Sequence, residues 1–205
     1  VVLSAEVTGD NLGVARLVGA DILAEAHEAC LRDRPEVYDD YLVCDITDLD
    51  FAESGEISTV TSSFAFHHLS TAEDLGRSFA EIDRVLVPDG GLFLFDFAHL
   101  KSADSIEFFA TRHAHLQSDF FTEDYRNSLR AAFYLSDIRE QYSHYLSHRG
   151  KLYSTSPLPL MFAIKSPSRQ VDTDRAKREL RGLRQELPAM IERDLKDIVR
   201  LFRFG

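Results

Sequence analysis

Two spacings of hydrophobic residues organise the middle of this chain. Leu75, Phe79, Ile82 and Leu86 fall at i, i+4, i+7 and i+11, an apolar stripe along one face of a helix. Before it, residues 57–65 are rich in β-branched, aromatic and small apolar side chains, the composition of a buried strand. After it, Leu92 to Phe97 is a second apolar run. Ser70 precedes Glu73 by three residues, the capping-box spacing of a helix start, and Pro88-Asp89-Gly90 cannot extend a helix and predicts a turn. Strand, helix, turn and strand make a βαβ unit with a right-handed crossover. Ligands of such sheets bind beyond the carboxyl ends of the strands, which places the expected chemistry between Ser62 and His68.

The same pattern extends towards the amino end. Residues 1–8 have strand-like composition, although Val1, Leu3 and Ala5 also suit the start of a helix. Gly9-Asp10-Asn11 reads as a turn, and residues 15–20 form a short apolar strand ending at Asp21. Leu23, Ala26 and Cys30 then share one helical face until Arg34-Pro35 breaks it, and 41–44 is a further strand ending at Asp45. Two strands thus end in aspartates twenty-four residues apart, with a helix between them. Asp is a good cap and turn former, so each has a local explanation. The alternative is that carboxylates at strand ends accept hydrogen bonds from a nucleoside, Asp21 from ribose hydroxyls and Asp45 from an exocyclic amine.

Taken in order, residues 15–97 resemble a class I S-adenosylmethionine-dependent methyltransferase of the small-molecule type. RLVGADI (16–22) resembles the second strand of that family, VCDITDLD (43–50) the next motif, ISTVTSSFAFHHL (57–69) the fourth strand with its loop, and RVLVPDGGLFLF (84–95) the RVLKPGG turn and fifth strand. The resemblance implies an α/β, Rossmann-like methyltransferase sandwich, with a mostly parallel sheet and a terminal antiparallel β-hairpin. It also implies S-adenosyl-L-methionine as cosubstrate. Asp21 and Ile22 would meet its ribose and adenine face, Asp45 and Ile46 would bracket the adenine, and Ser63, Phe64 and His68 would line the methionine side. The family's GxGxG loop has no counterpart among the ten glycines. VVLSAEV resembles the start of the helix that follows that loop, so the first strand and glycine loop are expected upstream of Val1. A degenerate loop in a non-catalytic relative is the rival expectation.

Residues 1–167 are expected to form the methyltransferase-like domain, with 99–134 as a substrate-covering insertion. Phe108, Phe109, Phe120, Phe121, Tyr125 and Phe133 lie there, either as core or as the floor of an apolar pocket. Asp124 to Arg126 begin a helical stretch, and Asp137 to Tyr145 reads as a helix capped by Ser136. Two β segments, 151–155 and 160–165, predict the terminal hairpin, which a nicotinamide-dependent Rossmann enzyme would lack. Residues 168–205 are expected as a helical extension. Leu180, Leu183 and Leu187 form one stripe, and Ile191, Leu195, Ile198 and Phe202 another, suited to packing on the domain, a partner or a second subunit.

Charge narrows the partners. The net charge is −11, and residues 1–170 carry fourteen basic against twenty-seven acidic side chains. So acidic a body repels phosphate backbones, which argues against nucleic acid; the small-molecule acceptor is what the family resemblance implies. No run of about eighteen apolar residues could span a membrane. Cys30 and Cys44 read as reduced core residues of a cytoplasmic protein, and no CxxC or ligand spacing indicates a metal. Methyl transfer from a sulfonium needs in-line positioning, plus a general base when the acceptor must lose a proton. His67, Tyr125 and His113 are the candidates for acceptor chemistry, with His115 beside them, while His68 is assigned to cosubstrate contact and His67 also suits packing. Three readings follow: a small-molecule methyltransferase, a non-catalytic methyltransferase-like scaffold, and a nicotinamide-dependent enzyme.

Overall fold

The computed structural model describes residues 2–5, 16–33 and 38–167, with 178, 181, 182, 196, 198 and 200–202. Seven strands form one sheet in the order β3-β2-β1-β4-β5-β7-β6. They are β1 (Val2–Ala5), β2 (Arg16–Asp21), β3 (Asp40–Val43), β4 (Ile57–Ser63), β5 (Leu86–Phe97), β6 (Lys151–Ser154) and β7 (Met161–Lys165). β2 pairs with β3 in parallel and β4 with β5 in parallel, whereas β7 runs antiparallel to both β5 and β6. The Rossmann-like methyltransferase sandwich and its terminal hairpin are therefore present. The hairpin is the feature a nicotinamide-dependent fold was expected to lack.

The central strand departs from expectation. Val2–Ala5 is a strand, not the start of a helix, and it runs antiparallel to both neighbours: Val2 lies opposite Gly19 of β2 and Thr61 of β4. Its backbone donors and acceptors complete two ladders that would otherwise stay open in the middle of the sheet. At the sheet edge where β2, β3 and β4 end, the central position presents Val2, the first residue of its strand.

The helices are α1 (Ala24–Asp33), α2 (Ala72–Val85), α3 (Ala103–Thr111), α4 (Asp119–Ala131) and α5 (Leu135–Tyr145). The stripe expected on α2 is its buried face: Leu75, Phe79 and Ile82 are fully enclosed, packed with Val60, Leu94 and Phe162 of the sheet and with Ile138 of α5. The cap of α2 lies one residue later than the spacing suggested. Thr71 Oγ1 accepts from Asp74 N–H at 3.0 Å and donates to the Asp74 carboxylate at 2.8 Å, a reciprocal cap without Ser70. α5 likewise starts without a Ser136 cap, its first position following Tyr134, and α4 begins at Asp119, ahead of the expected Asp124. The Pro88-Asp89-Gly90 turn survives as a bulge: Leu86 pairs with Ile57 and Gly91 with Thr59, so the residues between them loop out.

Residues between 97 and 132, with the β7 segment, build a second core. Ile106 and Ala110 of α3, Leu129 of α4 and Ala132 just after it pack with Phe97, Leu100, Leu160 and Met161. Ile198 and Phe202 join the edge of this cluster, with the Phe202 ring 5.8 Å from Phe95, and Ser156 N–H donates to Leu201 C=O at 3.3 Å. The described part of the extension thus packs on its own domain. The stripe of Leu180, Leu183 and Leu187, with Ile191 and Leu195, lies outside the described residues.

Candidate active site

The carboxyl ends of β2, β3 and β4 enclose a cavity of about 330 Å³. Asp21 and Ile22 reach it from the end of β2, Asp45 and Ile46 from the loop after β3, and Ser63, Phe64 and His68 from the turn after β4. All residues expected at a cosubstrate site therefore share one cavity. Leu23, Cys44 and Leu49 line it as well and went unread, since apolar side chains in loops carry no periodic signal.

Local structure holds the two aspartates. Asp21 Oδ1 accepts from Leu23 N–H at 3.0 Å, and Asp45 Oδ1 accepts from the N–H and hydroxyl of Thr47, both at 2.9 Å. These are Asx turns, so the local and functional readings of each aspartate coexist. The bonds use Oδ1 in both cases. The loop after Asp45 is fastened to α2: Glu81 Oε2 accepts from Leu49 N–H at 2.9 Å, while Arg84 donates to Leu49 C=O at 3.0 Å, Ala52 C=O at 2.9 Å and Glu81. Burial pushes the Cys44 thiol up to about 11, which keeps it protonated and unreactive at neutral pH.

A second cavity of about 420 Å³ adjoins the first, between the turn after β4 and the insertion. His67, Tyr125 and His113 all line it, together with Phe97, Phe109 and Phe121; His115 lines neither cavity. Phe64 and His68 line both. Phe64 has φ of 55°, a left-handed conformation unusual for a bulky side chain, and its N–H donates to Phe95 C=O at 2.9 Å. Its ring packs 4.7 Å from Phe97 and 5.0 Å from Phe95. Strain of this kind persists where surrounding structure over-determines the backbone. Here it sets the Phe64 ring at the junction of the two cavities.

One residue of this wall was not foreseen. Asp96 of β5 is fully buried, as is His67 to within a few per cent. His67 Nδ1 lies 2.8 Å from Asp96 Oδ1, which also accepts from Phe97 N–H at 2.6 Å. Asp96 Oδ2 accepts from the N–H groups of Phe66 and His67, at 2.6 and 3.2 Å. The available signal was an acidic residue inside the apolar run LFLFDF, since a carboxylate is almost never fully buried unless paired. His68 stacks on His67 with ring centroids 4.1 Å apart; burial and then the charge of His67 lower its pKa. Burial raises the Tyr125 phenol and keeps it protonated. Among the described residues, no group of three or more His, Cys, Asp or Glu could hold a metal ion.

Residues 3–94 match the model of a family described as a methyltransferase domain. The match bears out the resemblance carried by residues 15–97. Solved structures similar to it include an arsenic(III) S-adenosylmethionine methyltransferase from Chlamydomonas reinhardtii, 16% identical over 76% of this chain and 57% of that one, with a TM-score of 0.45. The N-methyltransferase NodS from Bradyrhizobium japonicum is 14% identical over 75% of this chain and 74% of that one, also at 0.45. A protein described as a possible exported protein from Bordetella parapertussis is 16% identical over 74% of this chain and 53% of its own, at 0.48. The chain spans about half the length of several of these structures. No curated protein matches.

Proposed function

We propose that this protein transfers a methyl group from S-adenosyl-L-methionine to a small-molecule acceptor by in-line displacement. The observation that carries the reading is the adjacency of the two cavities across Phe64 and His68. The first has the donor set for an adenosine: Asp21 and Asp45 side by side as acceptors for ribose hydroxyls and an exocyclic amine, with Ile22 and Ile46 as apolar surfaces for the base. Ser63, Phe64 and His68 extend this lining towards the second cavity, where the acceptor sits. S-adenosylmethionine supplies an electrophilic methyl group on a sulfonium and leaves as a neutral thioether. The protein's own contribution is to hold the acceptor in line and exclude water, which can supply much of the rate.

The residues fit the nucleoside better than the amino-acid end. At the centre of the sheet edge, β1 runs antiparallel to both neighbours and presents Val2. That observation favours a second reading, a methyltransferase-like protein that binds a nucleoside or a partner without catalysis. Isothermal titration with S-adenosylhomocysteine, and with adenosine as the comparison, separates the two. Binding of S-adenosylhomocysteine well above that of adenosine supports the transferase. Equal affinities favour the second reading, and no binding of either overturns the cosubstrate assignment.

A further inference from the structure

The His67–Asp96 pair has a geometry that ordinary packing does not require. Asp96 accepts from three backbone N–H groups, two on Oδ2 and one on Oδ1, so its oxygens act as acceptors throughout. The His67 ring facing it therefore donates through Nδ1, at 2.8 Å. In a neutral imidazole that tautomer leaves the lone pair on Nε2. The ring also lines the second cavity, 5.4 Å from the Phe97 ring. Every backbone donor to Asp96 belongs to Phe66, His67 or Phe97, so the turn that carries the histidine also fixes its orienting carboxylate.

The charged and titratable groups around His67 are few. Asp96 faces it from β5, His68 stacks on it from the same turn, Asp124 and Tyr125 line the cavity from α4, and His113 lines it after α3. Tyr125 remains a neutral phenol and His68 is driven towards its neutral form, so neither places a charge beside His67 at neutral pH. The remaining walls are mainly aromatic, with Gln117, Ser128 and Met161 among them; Phe97 lies 5.5 Å from Tyr125, and Phe121 6.5 Å from it. Such walls suit a flat apolar body.

We infer that His67 is the general base of the acceptor cavity, oriented by Asp96, and that the acceptor is a planar aromatic alcohol of the phenol class. This rests on the methyltransferase reading above. The acceptor hydroxyl gives its proton to His67 Nε2 while its oxygen forms the new carbon–oxygen bond. The methyl–sulfur bond breaks, its electron pair stays on sulfur, and the sulfonium becomes a neutral thioether. The imidazolium left behind pairs with Asp96 and later returns the proton to solvent. Asp96 is a positioning residue in this scheme, since it touches His67 and not the acceptor.

The test uses 4-nitrophenol, whose phenolate absorbs visible light, with the full chain. Proton transfer from the bound probe to His67 lowers the titration midpoint of the bound probe by about one pH unit, the scale of shift a close ion pair produces. A probe that does not bind at millimolar concentration, or that binds with its solution midpoint unchanged, overturns the inference; this wild-type spectrum decides even if a variant fails to fold. His67→Gln, which can still donate to Asp96, is expected to bind the probe with the shift abolished. Asp96→Asn is expected to bind it with the shift reduced and the imidazole ¹⁵N signature of the Nδ1–H tautomer lost, a change that mere structural support would not produce. Calorimetry with S-adenosylhomocysteine on the same sample keeps the two ideas separable. Cosubstrate binding without the probe shift removes this inference alone, and the probe shift without cosubstrate binding removes the transferase reading on which it rests.

Discussion

The backbone N–H of Cys44 donates to the carbonyl of Asp21 at 2.9 Å, one rung beyond the parallel ladder of β2 and β3. That bond ties the last residue of one strand to the first residue after the other. It brings Asp21 and Asp45 to the same edge of the sheet, although twenty-four residues separate them. Two Asx turns then hold the carboxylates in place.

Asp21→Ala is expected to weaken S-adenosylhomocysteine binding by about 1–3 kcal/mol, the range for a lost hydrogen bond to a charged group. Titration calorimetry of the folded variant checks this. An affinity equal to that of the wild type would remove Asp21 from the cosubstrate site.

Arg84 spans the loop after β3 and α2, so Arg84→Met should strand the carbonyls of Leu49 and Ala52 and loosen the cavity wall. A loss on the order of 1–2 kcal/mol in denaturant unfolding is expected. The pH dependence carries a further signature. Arg84 holds the Glu81 carboxyl below its ordinary value of 4.5. A depressed carboxylate adds stability above its unfolded pKa, lost as pH falls through the folded one. The acid limb of the stability curve should therefore flatten in Arg84→Met, and an unchanged limb would mean the pair contributes nothing.

His68 gives the same sign in a higher pH window. Burial and the neighbouring His67 push its pKa below 6.5, so the unfolded chain binds this proton more readily than the folded one. Stability should be level above about pH 6.5 and decline below it, through the window between the unfolded and folded values. In His68→Gln that decline should be smaller, as measured by urea midpoints across pH 5 to 7 in about half-unit steps. A decline of equal size in the variant would assign the titration elsewhere.

Phe79→Ala is expected to cost about 3–5 kcal/mol, the range for emptying a fully enclosed aromatic site. Phe79 is completely buried and its ring meets Phe66 edge-to-face at 5.5 Å, one residue before His67. Loss of this support should also blunt the 4-nitrophenol shift before global unfolding. A fully retained shift in the variant would show that the turn is held without Phe79.

Local chemistry decided much of this protein before any contact was known. The stripe of α2, the apolar runs of β4 and β5, and the aspartates ending β2 and following β3 are short-range patterns. Periodicity and strand-end residues report burial and edge position directly. The motif order over 15–97 carried the family resemblance for the same reason. Tertiary structure alone decided the rest. The antiparallel entry of Val2–Ala5 depends on which strands leave open ladders in the sheet centre, and a four-residue segment cannot state its own direction. The burial of Asp96 against His67 joins residues twenty-nine apart across β4 and β5, and it exists only because the strands end side by side. The two cavities share Phe64 because a strained backbone turns one ring between them, a consequence of long-range packing that no local pattern of hydrophobic and polar residues encodes.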